Sequence, residues 1–103
     1  MAYELIITER AEELLDELIY YLLFRFKSEQ AASHLLDAIE SIYKRLEENP
    51  LQFPLCKDLN LANKHYREAF LTDMHYLVIY KIEKQNVFIL GIFHELERYE
   101  SKI

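Results

Sequence analysis

The stretch HYLVIYKIEKQNVFILGIFH, residues 75–94, decides the fold. His75–Glu83 and Asn86–His94 are rich in β-branched and aromatic residues with a period of two. Only Lys84 and Gln85 separate them. Two extended runs joined by so short a gap can pair only as an antiparallel hairpin, because a parallel pair needs a long crossover. Upstream, Thr72, Asp73 and Met74 make a second short gap, and His65–Leu71 makes a third strand. The C-terminal half therefore predicts three consecutive antiparallel strands.

Further upstream the period becomes helical. Thr8 is placed as an N-cap, and Glu9, Glu12 and Glu13 follow where carboxylates favour the positive end of a helix dipole. Ala11, Leu14, Leu15, Leu18, Leu22 and Phe26 recur at helical spacing and predict a helix from about Glu9 to Phe26. Tyr20, Tyr21 and Phe24 lie outside that stripe and widen its apolar surface. Ser28 caps a second helix whose stripe is Ala32, Leu35, Leu36, Ile39, Ile42, Tyr43 and Leu46. Asn49 and Pro50 end it, since a proline pushes the residue before it out of helical geometry. So short a link folds the two helices back on each other as an antiparallel hairpin. Tyr3–Ile7 reads as a strand, and residues 50–63, with Pro50 and Pro54, read as a loop with little regular structure. The expected fold is α+β, in the order β-α-α-β-β-β. A helical hairpin covers one face of an antiparallel hairpin sheet and leaves the other face open. The expected core includes Leu15, Leu18, Leu36, Ile39, Val78 and Ile89.

Composition narrows the function classes. At 103 residues the chain fits one domain, residues 1–103, and its 51% hydrophobic content excludes a disordered segment. One cysteine, Cys56, permits no intrachain disulfide, which fits a reducing cytoplasm. The first four residues carry no basic region leading into an apolar run, and no apolar run has membrane-spanning length. A single glycine excludes a phosphate-cradling loop, and no Cys or His pair has zinc-ligand spacing, so neither cofactor nor metal is expected. Even if His65 and His75 approach across a hairpin, they lack carboxylate or thiol neighbours at ligand spacing and read as ordinary surface residues. The net charge of −6 lies wholly in residues 1–50, with 5 Lys/Arg against 11 Asp/Glu; residues 51–103 hold 7 of each. Such acidity opposes nonspecific binding to nucleic acid.

The order of elements and several phrases resemble the RelE/ParE family of bacterial toxins. Tyr66-Arg67-Glu68-Ala69-Phe70 is similar to the family's "Y-R" strand, and Tyr76-Leu77-Val78-Ile79-Tyr80-Lys81-Ile82 to the strand after it. Val87-Phe88-Ile89-Leu90-Gly91-Ile92-Phe93-His94 is similar to its "I-L" strand ending in histidine. Ala31-Ala32 and Leu46-Glu47-Glu48-Asn49-Pro50 match the start and end of its second helix. The resemblance implies the toxin of a type II toxin–antitoxin module. Such a protein inhibits growth, serves plasmid stabilisation, and is neutralised by a cognate antitoxin.

Two kinds of target follow from the resemblance. ParE-like members poison DNA gyrase, and RelE-like members cleave mRNA on the ribosome. For RNA cleavage it implies Arg67 as the phosphate-binding cation, His94 as a proton-transfer group and Tyr99 as a tail tyrosine. The family's tail often has two basic residues after the histidine, where Leu96 and Glu97 stand here. Gly91 occupies a position that often carries arginine. The long helical hairpin and these replacements favour the ParE-like branch. A third possibility is an inactive toxin retained as an antitoxin-binding module. The apolar surface expected to receive the antitoxin is formed by Tyr20, Tyr21 and Phe24 with the open sheet face.

Overall fold

A computed structural model describes residues 2–103. The strands are β1 (Glu4–Ile7), β2 (Arg67–Phe70), β3 (Tyr76–Glu83) and β4 (Asn86–His94). The helices are α1 (Glu9–Tyr20), α2 (Glu29–Glu48) and α3 (Leu59–Asn63). The caps fall as expected: Thr8 Oγ1 accepts from the Ala11 amide and Ser28 Oγ from the Ala31 amide.

One sheet holds all four strands, in the order β1-β4-β3-β2. The last three strands pair antiparallel, as their short gaps require. β1 instead joins β4 in parallel, from Glu4 opposite Asn86 to Ile7 opposite Ile89. The sheet is therefore mixed rather than wholly antiparallel. Two helices carry the chain from β1 around one face and allow that parallel return. Thr8 locks the junction, since its hydroxyl donates to the Ile89 carbonyl at 2.7 Å while it caps α1.

The helical hairpin covers one face. Leu35, Ile39, Ile42 and Leu46 of α2 pack with Ala11 and Leu22 against Val78, Tyr80, Val87, Ile89 and Ile92. Ile39, Val78 and Ile89 are buried as expected, whereas Leu15 and Leu18 are half-buried. Leu36 is 46% exposed, one position off the buried line of Ala32, Leu35, Ile39, Ile42 and Leu46.

The other face is not open at its centre. Leu77, Ile79 and Phe93 are fully buried there beneath Cys56, Leu61 and Leu14, with Tyr99 packed alongside. Part of that cover comes from residues 50–63, which hold two short helical pieces instead of plain loop. Asn49 Oδ1 accepts from the Leu51 amide and starts a 3-10 turn at Pro50–Gln52. Asp58 Oδ1 accepts from the Leu61 amide and starts α3.

Two irregularities shape the ends of the sheet and hairpin. In the β3–β4 register Ile79 faces Gly91 and Tyr80 faces Ile89, so Leu90 is an unpaired bulge residue. The first helix widens into a π-helical turn over Tyr21–Arg25, closed by the Phe26 amide on the Tyr21 carbonyl. Such turns are rare and accompany functional sites.

Candidate functional site

The sheet register spreads the three expected catalytic residues apart. Arg67 pairs across to Tyr80, which pairs across to Ile89; His94 pairs across to Tyr76. Two strand spacings and about five residues of strand separate Arg67 from His94, on the order of 15–20 Å. The Arg67 guanidinium is engaged, donating to the Phe53 carbonyl beneath the 3-10 turn. Tyr80 donates to the Pro50 carbonyl at 2.6 Å in the same corner, and burial raises its phenol pKa. Arg67 therefore stitches residues 50–53 to β2.

Tyr99 belongs to the opposite face. Its ring stacks on Phe93 at 5.5 Å, and its hydroxyl donates to the buried Glu68 carboxylate at 3.5 Å. Burial first, then the Glu68 carboxylate, pushes its pKa up to about 12, so it stays protonated. Burial also pushes the Cys56 thiol up to about 12, with Glu68 and Asp58 adding to the effect. A thiol so protonated is no nucleophile at neutral pH.

Gly91 has a reason of its own. A Cβ there would sit 2.5 and 2.7 Å from the Phe93 ring and 3.1 Å from Leu14. The space an arginine side chain would enter is filled by a buried aromatic ring.

His94 lies in a groove at the far end of the hairpin. Its ring meets Tyr76 edge-on at 5.3 Å and His75 at 6.3 Å, and its Nδ1 accepts from the Leu96 amide. His75 pairs with Glu95 at 3.3 Å. His65 sits at the other end of the β2–β3 hairpin from His75, so the two histidines do not approach each other. The groove measures about 400 Å³ and is lined chiefly by Tyr21, Phe26, Met74, His75, Tyr76 and His94.

Above it the π-helical turn holds an aromatic tip. Tyr20, Tyr21, Phe24 and Phe26 are 62%, 51%, 60% and 62% exposed. Tyr20 and Phe24 pack ring to ring at 4.7 Å. Four large aromatics exposed side by side form the kind of surface that marks a partner site. Sequence periodicity assigned Phe26 to the core and gave no sign of the groove. The groove unites residues from the hairpin tip, the Thr72–Met74 turn and the end of β4.

The second sheet face carries a separate pattern. Lys57 lies over Phe70, Lys64 over Tyr66 and Lys81 over Phe88, at 5.5, 5.8 and 5.3 Å. Among the described residues no cluster of three or more His, Cys, Asp or Glu forms a metal site, and no helix is long and apolar enough to cross a membrane.

Residues 5–99 match the family model described as the ParE toxin of the type II toxin–antitoxin system parDE. The chain belongs to this family. It is a type II toxin of the ParE/RelE superfamily. A chain of the chromosomal ParDE system from P. aeruginosa superposes with a TM-score of 0.68 at 17% identity, covering 90% of this chain and 96% of its own. A chain of the RelBE2 toxin–antitoxin complex from Mycobacterium tuberculosis gives 0.62 at 18% identity, covering 91% and 99%. At such identities the likeness lies in the fold. No curated protein matches the sequence.

Proposed function

We propose that this toxin arrests growth in the cytoplasm by protein–protein contact with DNA gyrase, in the manner of the ParE-like branch, and not by cutting RNA. The observation that supports this reading is the separation of Arg67 from His94, together with the engagement of the Arg67 guanidinium by the Phe53 carbonyl. Ester cleavage needs a charge-stabilising donor and a proton-transfer group at one reacting phosphate. The tail's Lys102 is already paired with Glu97 at 2.6 Å, the carboxylate that also accepts from the His94 amide, and Leu96 stands between His94 and Glu97 without charge. The test compares purified toxin in a gyrase supercoiling assay with the same toxin on translating ribosomes. Gyrase inhibition without mRNA cleavage is expected; ribosome-dependent cleavage overturns the reading.

Its silencing partner is an antitoxin that docks on the aromatic tip formed by Tyr20, Tyr21 and Phe24. Solved relatives that share the fold come from toxin–antitoxin systems, and the tip is the largest exposed aromatic grouping on the hairpin. Hydrogen exchange with and without the small protein encoded beside the toxin tests this. Added protection over residues 20–26 is expected.

A second reading, mRNA cleavage, draws on the three lysines over aromatic rings on the second sheet face, which supply cations that a phosphate chain would meet. The ribosome arm of the same assay decides it.

A further inference from the structure

The groove below the hairpin tip is bounded by Tyr21, next along the chain to a helix face whose charge selects what can lie on it. On α1 the exposed residues Glu13, Asp16, Glu17, Tyr20 and, one turn beyond, Phe24 follow at three- or four-residue spacing along one stripe. The stripe is anionic in its first turns and aromatic in its last. Glu9 and Glu12 add two more exposed carboxylates, and Arg10, the only cation of α1, is 3.5 Å from Glu13. Asp73 is the only carboxylate lining the groove, and no lysine or arginine lines it. Arg25 and Lys27 come after the tip, at the turn into α2, so the track has a polarity from negative to positive.

We propose that this track receives an amphipathic helical segment of a protein partner whose polar side is rich in lysine or arginine. Its apolar side chains fill the groove and cover Tyr20 and Phe24, and its cations run back along α1 toward Glu9. The inference rests on the antitoxin reading above and adds the chemistry of the segment that docks.

Charge complementarity selects this occupant. A second copy of the chain would bring the same net charge of −6 onto the same carboxylates. Nucleic acid and an anionic lipid surface meet that repulsion too. A helix laid in a groove buries its anchors at i, i+3, i+4 and i+7, which matches a track made by one helix and its terminal turn.

The experiment uses the whole chain and two fluorescent helical peptides with the same Leu/Phe face. One has lysines on its polar side and the other has glutamates. Anisotropy should give the lysine peptide about tenfold or greater preference, narrowing as salt rises past about 0.1 M. The triple change E13K/D16K/E17K should erase the preference. Phe24→Ala with Phe26→Ala should weaken both peptides, with the fold checked by circular dichroism. Equal binding of the two peptides overturns the proposal. So does a preference that survives the charge reversal, or undiminished binding to the double alanine variant. Co-purification with the small protein encoded beside the toxin separates the two readings. If wild type and the charge-reversed variant retain it equally, the cationic-segment proposal falls and the antitoxin reading stands. If wild type fails to retain it, the antitoxin reading falls, and the peptide result still decides the chemistry of the track.

Discussion

Arg67 stands opposite Tyr80, in the middle of β3, and His94 opposite Tyr76, at its start. While Arg67 is held by the Phe53 carbonyl, the two side chains do not converge on one phosphate. If the toxin acts on gyrase as proposed, His94→Gln should leave growth inhibition within about twofold of wild type, because that mode of action needs no proton transfer through the imidazole. Arg67→Ala should instead show in stability. It leaves the Phe53 carbonyl without its donor, a loss of roughly 1–3 kcal/mol in chemical denaturation. Abolished toxicity in a folded His94→Gln protein would contradict this.

Two neighbouring positions of α2 test the placement of the core. Ile39 is 2% exposed and Leu36 is 46% exposed. Ile39→Ala should cost about 2–5 kcal/mol, and Leu36→Ala less than about 1 kcal/mol. Urea midpoints at constant slope provide the comparison.

Gly91 is held small by its neighbours. Phe93, fully buried and stacked on Tyr99, cannot swing aside from a new Cβ. Gly91→Ala should destabilise by about 1–3 kcal/mol, and Gly91→Arg by more. A thermal melt equal to wild type for the alanine variant would mean that the ring has room to move.

Four phenols, Tyr43, Tyr76, Tyr80 and Tyr99, set the alkaline limit. Burial is the main cause in each: Tyr43 and Tyr99 rise from 10.0 to about 12, and Tyr76 and Tyr80 rise as well. For a phenol, a folded pKa above the unfolded one gives stability that is complete below pH 10 and is lost as pH climbs toward the folded value. Unfolding free energy should be flat to about pH 8, begin to fall as the unfolded Cys56 thiol ionises near its ordinary 9.0, and fall more steeply above about pH 10. Tyr99→Phe should make that fall shallower, as followed by tyrosinate absorbance and circular dichroism together.

Tyr43 offers a gain. Among the described residues its hydroxyl is the buried side-chain polar atom with no hydrogen-bond partner. Tyr43→Phe keeps the ring and removes the stranded oxygen, so stability should hold or rise by up to about 1 kcal/mol. A loss above about 1 kcal/mol would reveal a partner for that hydroxyl.

Local pattern made much of this fold legible. Alternation in residues 75–94 located β3 and β4, Thr8 and Ser28 marked helix starts by their side-chain chemistry, and Pro50 marked the end of α2 by its ring. The parallel seat of β1 was not legible, because periodicity within a strand says nothing about its partner. α3 spans five residues, too few to show a helical period. Leu36 carries the same chemistry as Leu35, and only the direction of its side chain exposes it. The site was half visible. The surplus aromatics of α1 stood out, but the groove that continues them depends on a π-helical turn and on residues some fifty positions away.

The pairing of β1 with β4 orders the assembly of the molecule in time. Leu5 faces Val87 and Ile6 faces Phe88, so the first strand waits for a partner made near the other end of the chain. The helical hairpin and the β3–β4 hairpin close short loops and should form early; the β1–β4 seam closes the longest one and should form last. Until it does, Ile89 lacks the Thr8 hydroxyl and α1 lacks its anchor on the sheet. A nascent chain that stops short of β4 thus leaves β1 without a partner, and the surface of α1 should become rigid only when nearly the whole protein has been made.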